Sequence, residues 1–340
     1  MNKAAVLYGE RDLRVEDRQV PVPQHREVLV EVRSVGICGS DVHYYEHGRI
    51  GDFVVRAPMV LGHEASGVVA GLGPGASKHR VGDRVALEPG VPCLACLECR
   101  TGHYNLCRDV SFFATPPVDG ALAQYVTIHE DFAFTLPGSV SADAGAMLEP
   151  LSVGLWACEK ARVSVGARVA VAGAGPIGAV VGLVARRAGA AEVVVSDPVA
   201  ARRERAASLG ATSTVDPAEG GLATACAEAD VFFDCSGHPG AIDDGIHAVR
   251  PHGVAVLIGM CPEPRSLIPL ARVQAREIWV TGTFRYANTY PRAVALAASG
   301  RVDLESLVDR RFSLEETEKA LNCSSADPSV LKAVVQVSKP

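Results

Sequence analysis

Four cysteines in one short segment constrain this chain more than any other feature. They are Cys93, Cys96, Cys99 and Cys107, with the spacing C-x2-C-x2-C-x7-C. Short C-x2-C steps allow a folded-back loop to direct its thiolates to one point, and four thiolates around one ion are typical of structural zinc. Two disulfides or four unrelated thiols are the alternatives, but cysteines this close in sequence bridge poorly. The spacing therefore predicts a closed zinc site with no open position for chemistry.

Length and composition exclude several function classes. The chain has 340 residues, enough for two domains, and a net charge of −6. No run of lysine and arginine is present, which argues against a nucleic-acid partner. The uncharged run 169–185 is shorter than the about 20 residues of a membrane span, and it contains four glycines. The first residues have too short an apolar run for a signal peptide. We expect a cytoplasmic protein with no membrane contact.

The order of predicted elements indicates two domains. Up to about residue 150 the pattern is β-rich, with strands predicted at 27–35, 66–70 and 84–87. From about residue 152 strands and helices alternate, which is typical of an α/β domain whose parallel sheet is covered by helices. The strands predicted there are 168–173, 192–197, 213–215, 230–234, 254–259 and 277–282. Helices at 176–189, 200–209, 291–298 and 314–321 and a final strand at 330–337 complete the prediction.

The segment Gly173-Ala-Gly175-Pro176-Ile177-Gly178 has the form G-x-G-x-x-G. It follows an apolar strand and opens a predicted helix, which is the context of a dinucleotide-binding loop. Gly173 is expected to make the tight turn, and Gly175 to let the backbone approach the pyrophosphate. Gly178 is expected to let the helix pack closely on the strand. The positive end of the helix then faces the phosphate charge.

The choice of nucleotide is expected to depend on Asp197, which ends the next strand nineteen residues after Gly178. A carboxylate there accepts hydrogen bonds from the ribose hydroxyls and repels a 2′-phosphate, which favours NAD over NADP. Arg202 and Arg203 complicate this prediction, because a nearby arginine can hold that phosphate. We interpret Arg202 as lying over the adenine or ribose, and Arg203 as a solvated helix residue.

A second group of candidate metal ligands lies earlier in the chain. Cys38 follows Gly36-Ile37, and His63 and Glu64 follow Gly62. A thiol, an imidazole and a carboxylate can share one metal, but this spacing alone is not diagnostic. The alternative is a core thiol and a histidine hydrogen-bonded in a turn.

The whole chain resembles the zinc-dependent medium-chain dehydrogenases, and within them the sorbitol, or polyol, dehydrogenase branch. The stretches that carry the resemblance are Cys38–Tyr45, Phe112–Pro117, Glu149–Gly154 and Phe284–Tyr286. The resemblance implies two domains and a homotetramer, with a dimer as the alternative. The implied domains are a GroES-like β-rich catalytic domain over 1–151 and 284–340, to which the tail returns, and a doubly wound Rossmann NAD-binding domain over 152–283.

One departure bears on the substrate. Animal sorbitol dehydrogenases generally lack the complete set of lobe cysteines, whereas this chain has all four. It therefore looks more like microbial or insect polyol dehydrogenases, which leaves the individual sugar alcohol open.

The resemblance also implies a second, catalytic zinc beside the structural one. Cys38, His63 and Glu64 would bind it together with a water, and Glu149 would hold that water or ligate transiently. Zinc lowers the pKa of a bound hydroxyl toward neutrality, after which the substrate carbon gives a hydride to NAD. Ser40 is implied to take the proton and pass it through the cofactor ribose to His43. A structural hydrogen bond is the alternative role of His43.

Four further residues match substrate positions of the polyol dehydrogenases. They are Tyr44, Phe112, Arg285 and Tyr286. The guanidinium of Arg285 has donors for several hydroxyls. Packing in the core or at a subunit interface is the alternative for all four.

Three functions remain open on the sequence alone. The first is oxidation of a polyol such as sorbitol or xylitol to a ketose by NAD. The second keeps this chemistry but changes the substrate to a simple secondary alcohol or to an amino alcohol such as threonine. The third is a nucleotide-binding protein without enzymatic activity, which the ligand group Cys38, His63 and Glu64 argues against.

Overall fold

The computed structural model describes residues 1–261 and 265–338. They form two compact units, the first of Met1–Glu149 with Tyr290–Pro340 and the second of Pro150–Thr289. The strands are β1 (Asn2–Gly9), β2 (Asp12–Arg18), β3 (Glu27–Gly36), β4 (Arg49–Ile50), β5 (Phe53–Val54), β6 (Met59–Val60), β7 (Glu64–Leu72), β8 (Arg84–Leu87), β9 (Gly90–Val91), β10 (Ser111–Phe112), β11 (Tyr125–His129), β12 (Ala133–Thr135), β13 (Arg168–Ala172), β14 (Glu192–Ser196), β15 (Ser213–Val215), β16 (Ala229–Asp234), β17 (Val249–Leu257), β18 (Trp279–Gly282), β19 (Arg310–Ser313) and β20 (Ala333–Gln336).

The helices are α1 (Gly39–His47), α2 (Leu97–Arg100), α3 (Ala142–Ala146), α4 (Leu148–Lys160), α5 (Pro176–Arg187), α6 (Ala200–Ser208), α7 (Gly221–Ala225), α8 (Pro239–Ala248), α9 (Leu270–Ala275), α10 (Tyr290–Ala298) and α11 (Thr317–Ala326). Short 3-10 turns span Tyr104–Leu106, Glu130–Phe132, Pro217–Glu219, Glu305–Leu307 and Leu314–Glu316. In the described part of the chain, none of these helices has the length and apolar character needed to cross a membrane.

The first unit is built around a seven-stranded sheet. Its order is β12-β8-β7-β3-β20-β19, and β11 also pairs with β3. β3 is central because Val28, Val30 and Val32 alternate along it and are fully buried, as a period of two residues predicts. β20 comes from the end of the chain and pairs antiparallel with β3. This return of the tail brings the residues just before β20 close to the end of β3.

The second unit contains a six-stranded parallel sheet in the order β15-β14-β13-β16-β17-β18. The chain winds outward from β13 to β15 and then from β16 to β18, which is the doubly wound arrangement. Ligands of such sheets bind beyond the carboxyl ends of the strands where the winding reverses, here β13 and β16. The α/β fold class predicted from the sequence is confirmed.

Close packing of helix on sheet in the second unit depends on glycine. Gly245 lies in α8, and a Cβ atom there would be 2.0 Å from the ring of Phe232 on β16. Phe232 is fully buried, together with Leu222 and Ile246. Burying a side chain of this size stabilises the fold by about 1.5–3 kcal/mol, so a larger residue at position 245 would disrupt a well-filled core.

Several elements differ from the sequence prediction. β1 and β2 form a hairpin that the apolar pattern did not reveal. Residues 314–321 were predicted as one helix, but the chain makes a 3-10 turn first, and α11 then continues to Ala326. The final strand is shorter than predicted and begins at Ala333, because the two residues before it turn toward Asp309, whose carboxylate accepts their N–H groups.

Candidate metal centre and nucleotide site

Three potential metal ligands converge in the first unit. Cys38 directly precedes α1, and His63 and Glu64 stand where β7 begins. The Cys38 sulfur, a His63 ring nitrogen and a Glu64 carboxylate oxygen lie within 4.8 Å of one another. The antiparallel register of β3 and β7 places Gly36 opposite Glu64, which brings the two segments together. A Cβ atom at position 36 would lie 2.1 Å from Glu64 Oε2, so any side chain there would displace the Glu64 carboxylate.

Asp41 supports this cluster and was not identified from the sequence. It is fully buried, and its carboxylate accepts hydrogen bonds from the backbone N–H groups of Cys38 and Gly62. His63 Nδ1 lies 3.7 Å from Asp41 Oδ1, which leaves Nε2 as the nitrogen for a metal. Burial opposes protonation of His63, but the charges of Asp41 and Cys38 outweigh it and raise the pKa of His63. A metal bound here would therefore displace a proton.

Lys332, just before β20, is the second residue that the sequence did not reveal. Its ammonium group donates to Glu64 Oε1 at 2.6 Å and to the carbonyl oxygen of Ile37 at 2.8 Å. Lys332 and Glu64 are 3% and 1% exposed, so the pair is removed from water. Burial is the largest single influence and lowers the pKa of Lys332, but the charges of Glu64, Cys38 and Glu149 and the hydrogen bond to Glu64 together raise it. The lysine thus holds one carboxylate oxygen and compensates the charge of this site.

The donor set fits a zinc ion. Glu64 Oε2 is buried and accepts no hydrogen bond in the described part of the chain, which leaves it available as a ligand. A thiolate, an imidazole and a carboxylate are ligand types found at zinc, and three protein ligands leave a fourth position open for water or substrate. An open position is what catalytic zinc requires.

Glu149 lies near this cluster without joining it. It is buried in the first turn of α4, and its charge contributes to raising the pKa of Lys332. Among the described residues, the group of atoms within 4.8 Å contains Cys38, His63 and Glu64 and does not include Glu149. The Glu149 carboxylate therefore does not lie within 4.8 Å of all three ligand atoms, and a role through water stays a prediction.

Glu88 is another buried carboxyl group beside this region. Its pKa is raised to about 7, chiefly by burial and also by the charge of Glu149, while the hydrogen bond from the Tyr104 hydroxyl acts in the opposite direction. Tyr104 donates to Glu88 at 2.6 Å and belongs to the 3-10 turn just before Cys107. This hydrogen bond links the cysteine segment to the interior of the first unit.

The four cysteines of the lobe, residues 92–107, form the second cluster, and all four sulfurs lie within 4.8 Å of one another. Cys93 Sγ is 3.9 Å and Cys96 Sγ is 3.4 Å from Cys99 Sγ. Zinc–sulfur bonds of about 2.3 Å in a tetrahedron separate the sulfurs by about 3.8 Å, so the lobe is close to the required size. The N–H groups of Ala95 and Cys96 lower the pKa of Cys93 to about 7. The N–H group of Cys99 lowers the pKa of Cys96, but burial and the hydrogen bonds to Glu98, Cys99 and Cys93 outweigh it and raise that pKa to about 12. Zinc binding at the lobe would therefore release protons.

Replacement of Cys96 by serine is expected to affect stability more than chemistry. Three thiolates would remain at the lobe, and folding would lose part of the free energy of zinc binding. We expect a Tm lower by roughly 5 °C or more, measured by thermal melting. Cys323→Ser, outside both clusters, is the matched control. A Cys96→Ser protein of unchanged Tm with a selective loss of kcat would contradict a structural role.

The glycine loop of the second unit has the geometry of a nucleotide cradle. Gly173 directly follows β13 and has φ +90°, a conformation that favours glycine. A Cβ atom at Gly178 would be 1.8 Å from the carbonyl oxygen of Gly173, so the helix packs too closely for any side chain there. A Cβ atom at Gly175 would meet nothing within 4 Å, which leaves room above the loop. Pro176 and Ile177 open α5, whose first N–H groups face that space.

Asp197 lies beside this loop, just after β14. Its carboxylate accepts the N–H groups of Ala174 at 2.8 Å and Val199 at 2.8 Å, which fixes its orientation. Arg202 is half-buried in the first turn of α6. The interpretation of Arg203 as a solvated residue is wrong, because its side chain is only 19% exposed and is bound on two sides. It donates to the carbonyl oxygen of Asp197 at 2.6 Å and pairs with Asp216 at 3.0 Å.

The predicted substrate and proton-transfer residues are divided between the units. In the first unit, Ser40 is half-buried and His43 is exposed on α1. Tyr44 is buried on the same helix, and the Phe112 ring lies 5.8 Å from the His63 ring. In the second unit, the residues 284–286 follow β18. The Arg285 guanidinium lies over the Phe284 ring at 4.8 Å, and Tyr286 is buried.

Comparisons with known proteins agree with this geometry. The family model of the alcohol dehydrogenase GroES-like domain matches residues 24–138, and that of the zinc-binding dehydrogenases matches residues 176–299. Sorbitol dehydrogenase of Gallus gallus is 44% identical over 337 residues, with 97% of this chain and 95% of the relative covered. Sorbitol dehydrogenase of Bacillus subtilis (strain 168) is 41% identical over 325 residues, with 94% and 92% covered. A crystal structure of an Escherichia coli oxidoreductase/dehydrogenase of unknown specificity superimposes with a TM-score of 0.95, at 34% identity and 99% coverage of both chains.

Proposed function

The chain belongs to the zinc-dependent medium-chain dehydrogenase superfamily, in its sorbitol dehydrogenase branch, and from this premise we propose that it oxidises a sorbitol-like or xylitol-like polyol to a ketose. It is a zinc-dependent, NAD-linked polyol dehydrogenase. The observation that carries the proposed site is the cluster of Cys38, His63 and Glu64, in which a buried Glu64 oxygen is available for a metal. A nucleotide-binding protein without activity has no need of such a group.

Each residue of the first unit has a proposed task in this reaction. Zinc, when bound, supplies a Lewis acid that lowers the pKa of a substrate hydroxyl. Cys38, His63 and Glu64 would hold the ion, and Asp41 orients His63. Glu149 would hold a water beside them. These roles fit the burial of all the carboxylates involved, because a charged group in a dry site acts strongly on its neighbours.

The proton of the substrate hydroxyl needs a route to solvent. Ser40 and His43 are three residues apart on α1 and therefore lie on one face of the helix. Ser40 is half-buried, whereas His43 is exposed. We assign Ser40 as the first acceptor of the proton and His43 as the residue that releases it to water.

An assay with a panel of C4 to C6 polyols tests the proposed function. Each polyol is offered with NAD, and formation of NADH is followed. Activity should be lost on zinc removal by a chelator and return on addition of zinc. Preference for a simple secondary alcohol or for threonine would identify the second function left open by the sequence. Binding of NADH without turnover of any alcohol would indicate the non-enzymatic function.

A cytoplasmic, tetrameric enzyme is the form that we propose. β18 is the edge strand of its sheet, with Trp279 66% exposed, and an edge with an exposed aromatic side chain readily pairs with another chain. Leu267 and Leu270 are also exposed nearby in sequence. An isologous contact between two copies would cover this edge.

Replacement of Trp279 by glutamate is therefore expected to reduce the size of the assembly. An isologous contact contains position 279 of both copies, so the substitution would bury two unpaired charges in the interface. Light scattering after size-exclusion chromatography should show a species of about half the mass or less. Val165→Glu, at another exposed apolar position of the second unit, is the matched control. An unchanged mass for Trp279→Glu would place the interface elsewhere.

A further inference from the structure

Arg203 is the residue of the nucleotide site whose environment differs most from expectation. We infer that Asp216 contributes to selection of NAD by holding the Arg203 guanidinium, which would otherwise be available to bind the 2′-phosphate of NADP. This inference rests on the proposed role of Asp197 at the adenosine ribose. Asp216 is then a second acidic residue that acts in cofactor selection, and Arg203 is a cation that it keeps from binding the 2′-phosphate.

The topology explains why these side chains meet. Asp197 follows β14 and Asp216 follows β15, which are neighbouring parallel strands, so both residues lie at the carboxyl edge of the sheet. Arg203 reaches this edge from α6. One of its terminal nitrogens donates to the carbonyl oxygen of Asp197 at 2.6 Å and lies 3.0 Å from Asp216 Oδ2. The guanidinium thus contacts both Asp197 and Asp216, the residues that directly follow these two strands.

The charges of this arrangement oppose a 2′-phosphate. A phosphate monoester carries almost two negative charges at neutral pH and would approach the Asp197 carboxylate. Arginine is the side chain best suited to bind phosphate through paired donors. Here the Arg203 charge is already matched by Asp216, and both side chains are about four-fifths buried, at 19% and 23% exposed. Binding of NADP would require Arg203 to give up this pair.

Asp216→Asn tests this inference without disturbing the local backbone. Asp216 Oδ1 also accepts the N–H of Ala218 and caps the 3-10 turn Pro217–Glu219. Asparagine keeps that acceptor and is an equally good cap, so Asp216→Asn removes the charge without removing the turn. Asp243→Asn removes one exposed carboxylate elsewhere in the second unit and is the matched control.

The experiment measures Kd for NADH and NADPH by nicotinamide fluorescence, with the zinc-loaded protein and its variants. Asp216→Asn should tighten NADPH binding about fivefold and change NADH binding less than twofold. Asp197→Ser should tighten NADPH binding roughly tenfold, and the double variant should exceed either single one. Addition of Arg203→Gln to the double variant should reverse most of the gain. Thermal melting verifies that each variant is folded.

The outcomes separate this inference from the function on which it rests. If Asp197→Ser tightens NADPH binding but Asp216→Asn behaves like Asp243→Asn, Asp216 has no part in selection. The same conclusion follows if Arg203→Gln leaves the gain of the double variant intact. If the wild-type protein already binds NADPH as tightly as NADH, or Asp197→Ser changes neither Kd, the proposed role of Asp197 itself is wrong.

Discussion

Replacement of Glu64 by glutamine is expected to lower kcat/KM for a polyol by roughly a thousandfold or more, while Kd for NADH changes less than twofold. Glutamine keeps the shape of the side chain and its hydrogen bond from Lys332. It removes the negative charge that makes Oε2 a metal ligand, in a site where Oε2 is buried and accepts no hydrogen bond from the described residues. The nucleotide loop lies in the other unit, so cofactor binding should persist.

Measuring zinc content together with activity shows whether the Glu64→Gln protein loses activity because it has lost a metal ion. Wild-type protein should contain two zinc ions per chain, and the Glu64→Gln protein should retain the lobe zinc and lose most of the other. Glu315→Gln is the matched control, because that carboxylate is exposed and pairs with Lys3 on the surface. A Glu64→Gln protein with near-normal turnover and two zinc ions would remove Glu64 from the set of ligands.

A polyol is expected to exceed 2-butanol in kcat/KM by roughly a thousandfold or more. A site built to pair several hydroxyls leaves its donors unsatisfied when an apolar alcohol binds, and each such buried group costs about 1–3 kcal/mol. Arg285 is the largest donor proposed for the substrate. It adopts a left-handed backbone conformation with φ +54°, and its guanidinium lies over the Phe284 ring. Both features orient the guanidinium and limit its freedom.

Arg285→Ala should therefore reduce the difference in kcat/KM between the polyol and 2-butanol. We expect KM for the polyol to rise about tenfold to a hundredfold, and kcat/KM for 2-butanol to change little. Arg187→Ala is the matched control, since Arg187 is exposed at the end of α5. Equal rates on 2-butanol and on all polyols, or an unchanged preference after Arg285→Ala, would favour a simple secondary alcohol as substrate.

The sequence predicted those features whose residues are close together or periodic along the chain. The glycine loop, the lobe cysteines and the alternating valines of β3 each carry their signal within a segment of about fifteen residues or fewer. The parallel sheet followed from the alternation of strands and helices after residue 152. The sequence was therefore enough to predict the fold class. It did not reveal α4, because no Ser, Thr, Asp or Asn stands directly before Leu148 to mark the start of the helix.

The residues that the sequence did not reveal act over long separations. Lys332 meets Glu64 across 268 positions, and a single lysine before an apolar strand has no local pattern that would mark it as buried. Asp41 is equally hard to identify from the sequence, because its hydrogen bond from Gly62 is a tertiary contact. Arg203 resembles a solvated helix residue until Asp216 is placed beside it. In each case the missing information is a contact of a charged side chain that only the fold creates.

The origin of Lys332 in the returning tail has a consequence for synthesis of the protein on the ribosome. Cys38, His63 and Glu64 emerge early, but the cation that compensates Glu64 emerges only after the entire segment Pro150–Thr289. Until then the Glu64 carboxylate lacks the ammonium group that accompanies it in the folded chain. The contiguous second unit can fold during translation. The buried pair of Lys332 and Glu64, in contrast, can form only after translation has passed Lys332.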